Sequence, residues 1–124
     1  MKLEEILQLD CRKQEDKDLL RKVLIRLPFF KDRNPDSINN EDLERAVFKM
    51  STKYPVNISY IMASNIQHDK VKKDENFFFT FMIKGTKNGD WLKSVYGVSM
   101  FEGFAKITIF MYWYIKNKIQ KEEE

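Results

Sequence analysis

The chain has 124 residues, enough for one domain of ordinary size, and its 43% hydrophobic and 14% aromatic content excludes a disordered tail. Twenty-two basic residues against 19 acidic leave a formal net charge of +3, which an unspecialised surface explains and which falls short of a dedicated phosphate-tracking protein. A single cysteine, Cys11, excludes an internal disulfide and fits a reducing compartment, so a cytoplasmic location is expected.

In chain order, Leu3, Ile6 and Leu7 have helical spacing over residues 3–9. Lys2, Glu4 and Glu5 interrupt any signal-peptide core there. Residues 12–18 are all charged or polar and read as a break or a solvated stretch. A second helical stripe follows through Leu19, Leu20, Val23, Leu24 and Leu27, with Asp16 and Asp18 near its start, Arg26 near its end and Pro28 stopping it. Pro35, Asp36, Ser37 and the neighbouring asparagines make residues 28–40 a loop. The next helix starts at Asn39 or Asn40, both good N-caps, with Glu41, Asp42 and Glu44 in its first turn. Leu43, Ala46, Val47 and Met50 form its core face, and Pro55 closes it by pushing Tyr54 out of the helical region.

Residues 57–66 then alternate, with Ile58, Tyr60, Met62 and Ile66 expected on one strand face and Ser59, Ala63 and Asn65 on the other. Gln67 to Glu75 is a polar loop. A second, central strand carries Phe77, Phe79, Phe81 and Ile83 on one face and Phe78, Thr80 and Met82 on the other. Asn88-Gly89 predicts a hairpin into a third strand, Trp91 to Tyr96, because both turn positions require positive φ. Ser99 and Glu102 have capping-box spacing, the Glu102 carboxylate being expected to return to the Ser99 amide. The last helix runs from about Met100 to Gln120 and is apolar nearly all round from Ile107 to Ile115. That run is shorter than the roughly 20 residues of a membrane span. One sheet face cannot cover it, so either the N-terminal helices pack on it or another molecule does.

Catalytic and metal chemistry find little support. His68, the only histidine, is a candidate groove contact or general base, but with no acid partner at a meaningful spacing it reads as a surface-loop residue. Cys11 lacks a recognisable base and reads as an inert thiol. One Cys and one His do not make a zinc site. Gly85-Thr86-Lys87-Asn88-Gly89 lacks the Gly-Lys-Ser/Thr ending of a phosphate loop and leads into a strand, so it reads as a hairpin. No catalytic residue, cofactor or metal is therefore expected.

The candidate partner-binding residues are of two kinds. Lys70, Lys72 and Lys73 in the polar loop, with Lys84, Lys87 and Lys93 near the hairpin, could form a basic edge, although Asp69, Asp74, Glu75 and Asp90 dilute its field. Tyr112, Trp113 and Tyr114 on the last helix are the types interfaces favour, because they bury a large area and keep a polar handle. They suit a protein partner or a homodimer along that helix.

From Asn40 onward the order is helix, three antiparallel strands, helix. This arrangement resembles the double-stranded RNA-binding domain over roughly two thirds of the chain. His68 lies in the loop between the first two strands, where that family often has a groove-reading histidine, and Tyr96-Gly97 followed by Ser99, Glu102, Ala105 and Lys106 is similar to the family's entry into its last helix. The resemblance implies RNA binding through His68 and the loop lysines. The family's phosphate-gripping lysines are replaced by Met100, Phe101 and Phe104, which cannot neutralise phosphate.

The expectation is an α+β domain: an N-terminal helical part over residues 1–36, then an α-β-β-β-α core over 37–120 with a three-stranded antiparallel meander and a long C-terminal helix. The expected function is non-catalytic docking on a macromolecule, a protein first and nucleic acid as the alternative, without a membrane. The Lys/Asn/Ile-rich composition also suits an accessory protein of a phage or mobile element, such as an inhibitor of a host system.

Overall fold

The computed structural model describes residues 1–63, 79–85 and 91–120. Helices α1 (Leu3–Leu7), α2 (Gln14–Leu24) and α3 (Asn40–Lys53) precede strands β1 (Val56–Ala63), β2 (Phe79–Gly85) and β3 (Trp91–Gly97), and α4 (Met100–Tyr114) continues as a π-helical turn over Ile115–Ile119. This is the expected α+β arrangement, with an antiparallel sheet in the order β1-β2-β3 and β2 at its centre.

Local chemistry explains most boundaries. Asn39 caps α3: its side chain accepts the Asp42 N–H, and the Asp42 carboxylate accepts the Asn39 N–H, both at 3.0 Å. The Arg33 guanidinium and then the Asn39 amide hold the Asp42 carboxyl below its ordinary range. Leu43, Ala46, Val47 and Met50 are buried, the stripe expected of one helix face. Tyr54, ahead of Pro55, is extended at φ −126° and ψ 152°.

The polar stretch over 12–18 is solvated as expected, and the break ends at Gln14, where α2 begins with polar first turns, Gln14 donating to Asp18 at 2.9 Å. The structure corrects one expectation for the strands. In β1 the two-residue alternation does not run through. Ile58 pairs with Ile83 but Tyr60 pairs with Met82, so the backbone register shifts at Ser59 as a bulge and the expected alternation is interrupted there. A second irregularity lies in the β2–β3 pairing, where Ile83 pairs with Lys93 and Lys84 with Trp91. The Asn88-Gly89 turn, Phe77 and Phe78 lie outside the described residues.

Helix α4 is the element on which the rest assembles. It packs against α1, α2 and α3 and against β2 and β3. All its residues from Glu102 to Met111 are buried, so the N-terminal helices supply the cover that the sheet lacks. No helix among the described residues is long and apolar enough to cross a membrane.

Candidate functional site

The second half of α4 emerges from this packing. Tyr112 and Tyr114 are half-buried, and Trp113 is 36% exposed. Three consecutive positions on a helix point about 100° apart, so they do not form one patch. Tyr112 meets Phe29 edge-on at 6.1 Å, whereas Trp113 and Tyr114 flank Phe110 at 6.2 and 6.0 Å.

Two apolar clefts meet at Tyr112 and Lys116. The first, about 400 Å³, lies between α3, the 3-10 turn at Pro28–Phe30 and the end of α4. Phe29, Met50, Tyr54, Tyr112 and Ile115 line it, with Lys49, Lys53 and Lys116 around them. Gln120 closes one side by donating to the Tyr54 hydroxyl at 3.0 Å. The second, about 680 Å³, lies between the N-terminal segment and α4, and Leu3, Ile6, Leu27, Ile109, Tyr112 and Trp113 contribute to it. Both volumes fall within the range of ligand-binding clefts.

The basic edge expected from sequence is only partly on view. His68, Lys70, Lys72, Lys73 and Lys87 lie outside the described residues. Lys84 is exposed on β2, and Lys93 on β3 is paired with Glu4 of α1 at 2.9 Å. The cleft lysines are other residues: Lys49 and Lys53, one turn apart on α3, and Lys116, one turn after Tyr112. The spacing of Lys49 and Lys53 about Met50 was a usable signal, because lysines that flank a core position can border whatever that position lines.

At the opposite end of α4 stands a buried polar cluster. Ser99 caps the helix by accepting the Glu102 N–H at 3.2 Å, but the Glu102 carboxylate does not return to the Ser99 amide as expected. It accepts the Val98 N–H instead, and the Cys11 N–H at 2.8 Å. Lys106, one turn on, lies 3.4 Å from Glu102 and donates to the carbonyls of Leu9 at 2.6 Å and Tyr96 at 3.0 Å. Glu102 and Lys106 are only 1% and 3% exposed. The α1–α2 connection, the end of β3 and the start of α4 are thereby tied at one point. Each donor and acceptor has a partner, which makes burial of the pair tolerable.

This cluster governs Cys11. Burial, and then the neighbouring Glu102 charge, push its thiol up to about 12. A thiol so raised carries very little thiolate at neutral pH, which makes it a poor nucleophile. Dithionitrobenzoate at pH 8 is therefore expected to react with the folded chain roughly two to three orders of magnitude more slowly than with the denaturant-unfolded chain. Equal rates would show that Cys11 is not held as described. The stability that depends on the protonated thiol is complete below the ordinary thiol range and falls as pH rises toward about 12.

No family model matches the chain, nor does any curated protein or solved structure.

Proposed function

We propose that this chain is a non-catalytic binding protein that docks on another protein through the second half of α4. The observation that carries this reading is the meeting of two apolar clefts at Tyr112 and Lys116, with Trp113 exposed beside them. Apolar clefts bordered by Tyr and Trp offer the large, semi-rigid contact area on which protein interfaces depend. The test is capture from lysate of the source cell, with and without nuclease, using the wild-type chain and Trp113→Ala as baits. A protein that survives nuclease and whose capture falls roughly tenfold or more with Trp113→Ala is the expected result. Capture that ignores the substitution in a folded variant would reject this surface.

Double-stranded RNA binding is the second reading, and the α3-β1-β2-β3-α4 order favours it. On that reading Lys84 and the loop residues would carry the contact, because the Lys106 ammonium is buried against carbonyls and Lys93 is paired with Glu4. It predicts loss of all captured material on nuclease treatment and a steep salt dependence.

A further inference from the structure

We infer that the cleft between α3 and the end of α4 binds an acidic peptide segment of a protein partner, an apolar side chain resting among Phe29, Met50 and Tyr112 while carboxylates reach Lys49, Lys53 and Lys116. This deepens the protein-docking reading and rests on it.

The charge distribution is the argument. Among the described residues no carboxylate lines this cleft, and none of its three lysines forms an ion pair. Elsewhere Arg12 pairs with Asp10, Arg33 with Asp42, Arg45 with Glu41 and Lys93 with Glu4, whereas three unpaired lysines gather around this one apolar cleft. Two of the ammonium groups stand over rings of the cleft, Lys53 at 5.5 Å from Tyr54 and Lys116 at 5.8 Å from Tyr112. Their stems extend the apolar wall while their heads stay in water. Lys53, in the last turn of α3, also complements that helix's dipole. Dipole compensation does not account for Lys49 a turn earlier.

The same geometry favours a peptide over a phosphate ligand. Phosphates are held by backbone N–H groups at helix N-termini and by arginine forks. No arginine lines this cleft, and the α-helices beside it present their C-terminal ends. An apolar floor with a rim of mobile point charges is instead the anatomy of a protein interface, in which the rim steers and selects.

The test is selection of short random peptides displayed on phage against the whole folded chain, with affinities of the enriched sequences measured by fluorescence polarisation. The lysines are exposed, so K49Q/K53Q/K116Q is expected to keep the wild-type melting temperature, and K13Q/K22Q/K84Q, at three exposed lysines that do not line the cleft, serves as an equally charge-depleted control. The expected result is enrichment of peptides with an apolar residue flanked by Asp or Glu. Their affinity should fall about tenfold or more in the triple variant, stay near wild type in the control, and weaken as salt rises. Enriched peptides without acidic residues, or binding indifferent to the triple variant, would overturn the inference; if that binding is lost with Trp113→Ala, the docking reading stands while this assignment fails. No enrichment, with nuclease-resistant lysate capture intact, likewise overturns only the acidic-peptide assignment. Displacement of the peptides by duplex RNA, with nuclease-sensitive capture, would overturn both.

Discussion

Glu102→Gln is expected to lower the unfolding free energy by about 3–5 kcal/mol, because it leaves the Lys106 ammonium as an uncompensated charge in the interior. Lys106 keeps its two carbonyl partners, Leu9 and Tyr96, but loses the only carboxylate beside it among the described residues. The Glu102 carboxylate also holds the amides of Cys11 and Val98, and a neutral amide accepts those bonds more weakly than an anion. Lys106→Met should be similarly damaging for the opposite reason: it strands a buried anion and leaves two carbonyls without their donor. The double variant E102Q/K106M should be less destabilised than the sum of the two, since neither charge remains. Urea unfolding followed by tryptophan fluorescence of the four proteins measures this cycle. Single variants within about 1 kcal/mol of wild type, or strict additivity, would show that the two residues do not act as a buried pair.

Gly97→Ala is expected to cost about 1–3 kcal/mol or more, through space and not through backbone conformation. A Cβ on Gly97 would stand 2.7 Å from the Gly103 amide nitrogen and 2.9 Å from the Ser99 carbonyl oxygen. Both are backbone atoms of the corner between β3 and α4, so no side chain can turn aside to relieve the clash. Accommodating the methyl means shifting the start of α4 away from the end of β3. That shift would also move Glu102 and Lys106, three and seven residues after Ser99, relative to Leu9 and Cys11. Thermal unfolding of the variant and the rate of Cys11 modification at pH 8 read the two consequences separately. A wild-type melting temperature would mean that strand and helix do not approach as closely as described.

The two experiments concern opposite ends of α4, and the helix explains why one end is stable and the other available. From Glu102 to Met111 it is enclosed by helices and sheet, and its polar residues are satisfied there. From Tyr112 the enclosing elements diverge, and aromatic surface meets the two clefts. The aromatic excess of the last helix was visible in the sequence, as were Tyr112 and Trp113 as partner candidates. That Tyr112 lines both clefts and Trp113 only the second was not, because it depends on where Phe29 of the 3-10 turn and Leu3 of α1 come to rest.

What the sequence by itself determined is what neighbouring residues decide among themselves. Asn39 and Ser99 start helices because their side chains accept amides three residues away. Pro55 ends α3 by steric exclusion at Tyr54, and the stripe Leu43, Ala46, Val47, Met50 declares a buried face by its period. The order α-β-β-β-α follows from such signals alone. The tertiary structure decided everything that depends on residues far apart in the chain. Glu102 reads as a capping-box partner until Cys11, 91 positions away, brings its amide to the same carboxylate. Nothing near Lys106 in the chain foretells that its ammonium is buried against the carbonyls of Leu9 and Tyr96. Lys49, Lys53 and Lys116 come around one cleft only when α3 and the end of α4 pack. The physical reason is the same in each case. Backbone angles and caps are set within a turn or two, whereas burial and charge pairing belong to surfaces that exist only once distant segments have packed.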